Sequence, residues 1–206
     1  MPKLSFTNEE ITLIKDSVNQ GHSSWSNIEL SEIRSKIKEH HKLRQEDCCC
    51  YCCRNIYGEF NFVLDIEHIL PKSKKTNLMF TQKNLSVSCK RCNMNIKGND
   101  LSFLSVNLID LPNRLFKSKF YKIIHPNLDR YESHLLLHHV QIGRKRLIKY
   151  QVNNDSEKGR YTYDYFKLRM LEINRFDQAQ GLESRITIDN IEIEKEFSRL
   201  VDLQGS

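Results

Sequence analysis

Two Cys-x-x-Cys pairs, Cys49/Cys52 and Cys89/Cys92, bracket the stretch Glu67-His68-Ile69-Leu70-Pro71. Asn93 follows the last cysteine directly. A Cys-x-x-Cys turn aims two thiolates at one ion, and two such turns make a tetrahedral sulfur site. Soft thiolates in that geometry select zinc or iron–sulfur, with zinc the natural occupant. Glu67 sets a hard carboxylate oxygen beside the His68 imidazole, and Asn93 offers a second oxygen. Asp65 is the alternative to Glu67. Cys50 and Cys53 share the spacing of the first pair and are the alternative knuckle, one residue along.

The order of these pieces resembles the HNH nucleases, whose core is a β-hairpin and a helix around one catalytic metal. That family's motif reads Cys-x-x-Cys, Asp-His-Ile-x-Pro, Asn-Leu, then Cys-x-x-Cys-Asn or Cys-x-x-Cys-His. Here the positions hold Cys49-Cys50-Tyr51-Cys52, Glu67-His68-Ile69-Leu70-Pro71, Asn84-Leu85 and Cys89-Lys90-Arg91-Cys92-Asn93. Arg54 matches an arginine common just past the first pair. The likeness covers about a quarter of the chain. It departs in two places: Glu67 stands where Asp is usual, and Lys97 falls one residue later than the family's lysine.

The resemblance implies structural zinc on Cys49, Cys52, Cys89 and Cys92. Hard oxygens such as Glu67 and the Asn93 amide suit a catalytic Mg²⁺ or Mn²⁺. Such an ion can act as Lewis acid and template in phosphodiester hydrolysis. His68 is then the general base, since imidazole titrates near physiological pH, and a base of this kind contributes ~10²–10⁴-fold. By resemblance, Asn84 orients His68. Arg91, Lys97, Lys72 and Lys74 are the candidate phosphate contacts.

Charge agrees with a polyanionic partner. Net charge is +6, and residues 69–99 carry seven basic side chains and no acidic one. A basic band on the motif suits nucleic acid, DNA first. Seven cysteines, five of them within residues 48–53, fit no secreted disulfide framework. A reduced, cytoplasmic setting follows. The first residues lack the pattern of a signal peptide, and no apolar run approaches the ~18 residues of a membrane span.

Three segments must position these groups. Residues 1–46 form a helical segment. Thr7-Asn8-Glu9-Glu10 is a capping box followed by Ile11, Ile14 and Val18 and ended by Gly21. Ser26-Asn27-Ile28-Glu29 repeats the signal ahead of Ile33 and Ile37, with His40 and His41 expected at the surface. Residues 47–100 form the ββα-metal core. Phe60, Phe62, Leu64, Ile66 and Ile69 alternate as a strand, residues 84–88 return, and a helix over 92–97 stops at Gly98. Residues 101–206 form a mixed, largely helical region for DNA or partner contacts. Within it, 120–124 and 146–152 read as strands, and 164–177 and the stretch after Asp189 as helices. The fold class is therefore α+β.

His125-Pro126-x-x-Asp129 followed by Ser156-x-Lys158-Gly159 resembles a pattern in longer HNH proteins that act with an ATPase partner in bacterial anti-phage systems, as in the Septu type. No glycine-rich phosphate loop is present, so ATP would be the partner's ligand. Two other readings share the cysteines: a non-catalytic zinc module that only binds nucleic acid, and an effector subunit inert until a partner licenses it. The first gives no reason for Glu67, His68 and Asn93 together.

Overall fold

The computed structural model describes residues 4–110 and 115–174. Helix α1, Asn8–Gln20, begins with the predicted capping box: Thr7 Oγ1 accepts from Glu10 N–H, and the Glu10 carboxylate accepts from Thr7 N–H. Gly21, at φ 101°, ends it. Helix α2, Ser31–Arg44, starts later than the Ser26 signal predicts. Two 3-10 turns, His22–Ser26 and Ile28–Leu30, fill the gap. The buried serine there is Ser24, bonded to Ser17 of α1. Ile33, Ile37 and His41 recur at four-residue spacing, so they share the buried stripe of α2. His41 is thus a core residue, not a surface one.

Strands β1, Leu64–His68, and β2, Leu85–Cys89, pair antiparallel, with Asp65 opposite Ser88, Glu67 opposite Ser86 and His68 opposite Leu85. The first strand is shorter than its alternation predicts. Asn61–Val63 is a 3-10 turn, and Phe60 and Phe62 face solvent. Helix α2 lies on this hairpin, and Leu85 joins Leu30, Ile33 and Ile37 in a small core. After β2 the chain makes a π-helix, Arg91–Lys97. A π-turn holds one more residue than an α-turn. Gly98 N–H closes it back on Asn93 O, five residues earlier, at 2.6 Å.

In the second half, β3, Leu135–Ile142, and β4, Lys145–Val152, form a hairpin, and β5, Ile173–Asn174, pairs with β4. Helix α3, Glu157–Tyr165, is capped by Ser156, whose Oγ accepts from Gly159 N–H at 3.0 Å. Lys158 reaches Asp129 at 2.5 Å, and Asp129 accepts from His125 N–H at 2.7 Å. A Cβ on Gly159 would run into the His134 carbonyl. The paired motifs in this half are therefore a structural clasp. Residues 120–124 form no strand beyond a single bridge from Tyr121 to Leu104. Of the helix predicted over 164–177, residues 164–174 instead form the end of α3, a 3-10 turn at Leu168–Leu171 and β5, and 175–177 lie outside the described residues. The one predicted after Asp189 lies outside the described residues.

One core joins both halves around the cysteines. Tyr51 stacks on Phe166 at 4.2 Å between centroids. Tyr150 Oη donates to Cys52 O at 2.6 Å, and Tyr131 Oη to Tyr51 O at 3.1 Å. The second half thus holds the first knuckle by its backbone. Among the described residues, no helix is long and apolar enough to cross a membrane.

Candidate metal centre and groove

Cys49, Cys52, Cys89 and Cys92 are all buried, and their sulfurs lie within 4.8 Å of one another. Cys49 Sγ is 3.7 Å and Cys52 Sγ 3.9 Å from Cys89 Sγ. Four zinc–sulfur bonds of ~2.3 Å in a tetrahedron put the sulfurs about 3.8 Å apart, so the donor set fits zinc in type and spacing. Cys89 N–H donates to Cys49 Sγ at 3.3 Å, which favours a thiolate. Burial opposes ionisation of Cys49, but the surrounding cysteine thiols outweigh it and hold its pKa well below the ordinary value. Cys50 stands outside the cluster, its thiol pushed well up by burial, and Cys53 stands outside as well. The knuckle is therefore the Cys49/Cys52 pair.

Glu67 does not reach toward a hard-metal site. Its Oε1 lies 2.6 Å from Lys97 Nζ and accepts from Tyr51 Oη at 2.9 Å, with both carboxylate and ammonium at 1% exposure. Burial raises its pKa, against the pull of Lys97 and Tyr51. The carboxylate beside Asn93 is Asp65: Asn93 Nδ2 donates to Asp65 Oδ2 at 3.0 Å. That contact leaves the side-chain oxygen, Asn93 Oδ1, without a partner among the described residues. Lys90 Nζ lies 2.9 Å from Asp65 Oδ1. Asp65 thus has one carboxylate oxygen on the Lys90 ammonium and the other on the Asn93 amide N–H; these oxygens and Asn93 Oδ1 are hard donors, the type that Mg²⁺ or Mn²⁺ takes.

The Asp65–Asn93 pair opens on a groove of about 650 Å³ between α2, β1 and the π-helix, also lined by Trp25, Arg34, Lys38, Lys72 and Lys90. His68 sits by two of these residues. Its ring meets Trp25 edge-on at 4.6 Å, and Lys72 acts on its charge. His68 Nε2 is 3.0 Å from Met79 O. A carbonyl only accepts, so Nε2 carries the proton and Nδ1 carries the lone pair. Burial, then the charge of Lys72, pushes the His68 pKa down to about 3. The ring is therefore neutral at physiological pH, and a weaker base than the near-physiological titration of its type predicts.

Three further expectations change. The Asn84 side chain does not hold the imidazole. Its Oδ1 accepts from Leu70 N–H at 2.8 Å and its Nδ2 donates to Leu70 O and Leu78 O, pinning the loop that supplies Met79. Arg91 donates to Phe166 O and Lys167 O, clasping the second half. Lys97 is buried at 2% exposure and meets no solvent phosphate. Lys72 lines the groove, and Lys74 lies exposed in the turn that follows it. Trp25, Arg34 and Lys38 were not legible as site residues, because they come from the N-terminal helices and reach the groove only through packing. Lys90 had a signal, its place between Cys89 and the second knuckle's turn.

No family profile matches the chain. The chain is similar to the Septu protein PtuB of Bacillus thuringiensis, 27% identical over 188 residues. The match covers 90% of this chain and 58% of that protein, so the chain spans little more than half the length of the curated relative it matches.

Proposed function

We propose that the chain is a metal-dependent endonuclease of the HNH type that hydrolyses phosphodiester bonds of DNA. The observation that carries this is the meeting of Asp65 with Asn93 at 3.0 Å in a groove lined by cations, beside a neutral histidine. A divalent ion on Asp65 and Asn93 would supply Lewis-acid stabilisation of charge on the phosphate and the leaving oxygen. His68 Nδ1 takes the proton from the attacking water. The bond from Nε2 to Met79 fixes the ring's tautomer and aim. Lys90 and Lys72 draw the phosphate backbone to the groove without reading bases. The four-cysteine cluster, holding zinc, locks β2 and the π-helix to the first knuckle and so sets where Asn93 stands.

The likeness to a Septu protein supports a role in anti-phage defence; a cytoplasmic setting and an ATPase partner belong to the reading of the sequence. Zinc-loaded protein, alone and with that partner, is incubated with supercoiled plasmid and Mg²⁺ or Mn²⁺. Nicking that requires the ion, and is lost in Asp65→Asn, is expected. No cleavage by either preparation, with zinc intact, overturns the reading in favour of a zinc module that binds nucleic acid without cutting it.

A further inference from the structure

Phe60 is 66% exposed, Phe62 74% and Met94 65%; Met94 lines the groove, and the two phenylalanines are the chain neighbours of Asn61, which lines it too. Scattered exposed apolar side chains are ordinary, but two of these converge on one cation. Lys90 Nζ lies 5.4 Å from the Phe62 ring centroid, 3.5 Å from Met94 Sδ and 2.9 Å from Asp65 Oδ1. Asn61, between the two phenylalanines, lines the groove and accepts from Lys38 Nζ at 3.2 Å. Aromatic faces and ammonium heads therefore share one rim, a single side chain away from the Asp65–Asn93 pair.

A duplex shows a protein its phosphates and base edges, while its base faces are closed by stacking. Exposed rings interleaved with lysines match a different ligand. An unpaired base lays its face on the ring, and its own phosphate meets the neighbouring ammonium. The groove carries Arg34, Lys38, Lys72 and Lys90 against Glu39 and Asp65, a balance that favours a polyanion over an apolar protein segment.

We infer that the substrate is an unpaired stretch of nucleic acid, a single strand or an open junction, with bases stacked on Phe62 and Phe60 and the adjoining phosphate led by Lys90 to Asp65 and Asn93. This deepens the nuclease reading and rests on it for the site. Its test reads binding rather than cleavage. Full-length, zinc-loaded protein without added Mg²⁺ or Mn²⁺ is titrated onto one labelled sequence as single-stranded DNA, single-stranded RNA and duplex DNA, read by fluorescence anisotropy. Either single strand should bind roughly tenfold tighter than the duplex, and the two single-stranded arms identify the sugar. The Phe60→Ala/Phe62→Ala variant should weaken single-strand binding by about fivefold or more and leave duplex binding unchanged. Both rings are exposed, so zinc content should match the wild type. Preference for duplex, no measurable binding, or unchanged single-strand affinity in the variant overturns the inference; the last outcome assigns the aromatic rim to a protein partner. Ring-dependent single-strand binding without cleavage under any divalent ion would remove the nuclease reading alone. Metal-dependent duplex cleavage by the double variant at the wild-type rate would remove this inference alone.

Discussion

The ammonium of Lys97 lies 2.6 Å from Glu67 Oε1, and both side chains are 1% exposed. Lys97 also donates to His68 O at 3.0 Å, so the pair ties the π-helix to β1 at the histidine. Removing one partner of a buried pair leaves the other charge uncompensated and costs ~3–5 kcal/mol. Lys97→Met should therefore lower stability by about that much in urea unfolding. Lys97→Met/Glu67→Gln should recover part of this, since no charge is left buried alone and Tyr51 Oη still donates to the amide oxygen. A single variant as stable as wild type would show that the pair does not hold this junction.

The cysteine cluster makes a sharper division. Cys89→Ser removes a sulfur 3.7 Å from Cys49 and 3.9 Å from Cys52. Structural zinc contributes ~10 kcal/mol or more of apparent folding free energy in small zinc peptides. That variant should lose zinc by elemental analysis and unfold early. Cys50→Ser, outside the cluster, should keep about one zinc per chain. Zinc loss in Cys50→Ser with retention in Cys89→Ser would reverse the assignment.

What was legible follows from range. The capping box of α1 and the spacing inside each Cys-x-x-Cys turn are written by residues a few positions apart, and β1 and β2 by short apolar runs, and each formed. The choice between Asp65 and Glu67 was not, because alternation puts both on the same face of β1. Their fates diverge through Lys97 and Tyr51 on one side and Asn93 and Lys90 on the other. Phe60 and Phe62 continue the strand's alternation yet end outside it, since β2 ends at Cys89, opposite Leu64, and offers them no partner. His41 looked like a surface residue by its type. Helical spacing from Ile33 and Ile37 placed it inside.

His41 also predicts a pH dependence. Both its ring nitrogens are buried without a hydrogen bond, and burial, then the charges of His40 and Arg44, lowers its pKa to about 4. His125, fully buried, is pushed by burial to about 3. The unfolded chain protonates both near pH 6.5. Between pH 6.5 and about 4 the unfolded state binds more protons, so stability rises with pH and is lost as pH falls. Each histidine adds a slope approaching ~1.4 kcal/mol per pH unit. His41→Leu replaces two unsatisfied nitrogens with an apolar side chain, so it should flatten the slope without loss of stability at pH 7. Unfolding of both proteins at pH 7, 6 and 5 checks this. Parallel curves would mean that His41 protonates as freely in the fold as outside it.

Asp65 and Glu67 should fail differently when altered. Asp65→Asn keeps the shape and a hydrogen bond to Asn93 but removes the anionic oxygen. It should leave zinc content and melting unchanged while cleavage falls by a hundredfold or more, an order expected for losing an electrostatic contact to the transition state. Glu67→Gln should chiefly destabilise, because it leaves the Lys97 ammonium buried without its counter-charge. Activity lost in Glu67→Gln at full stability, with Asp65→Asn active, would return the ligand role to Glu67.

His68 gives the last test, because its roles separate by assay. Its proton sits on Nε2, 3.0 Å from Met79 O, which leaves the Nδ1 lone pair as the base of the proposed reaction. His68→Ala removes that base while leaving Asp65, Asn93 and the cationic groove in place. DNA should bind as before, and cleavage should fall by about two to four powers of ten. The same loss should be insensitive to raised Mn²⁺, whereas the defect of Asn93→Ala, a candidate ligand, should shrink as Mn²⁺ increases. His68→Gln returns an amide to the Met79 carbonyl but no base, so it should cut no better than His68→Ala while being more stable. The measurement needs an active wild type, with its partner if the chain alone is silent. Wild-type cleavage by His68→Ala under those conditions would remove the histidine from the chemistry and leave its burial against Trp25 as its whole role.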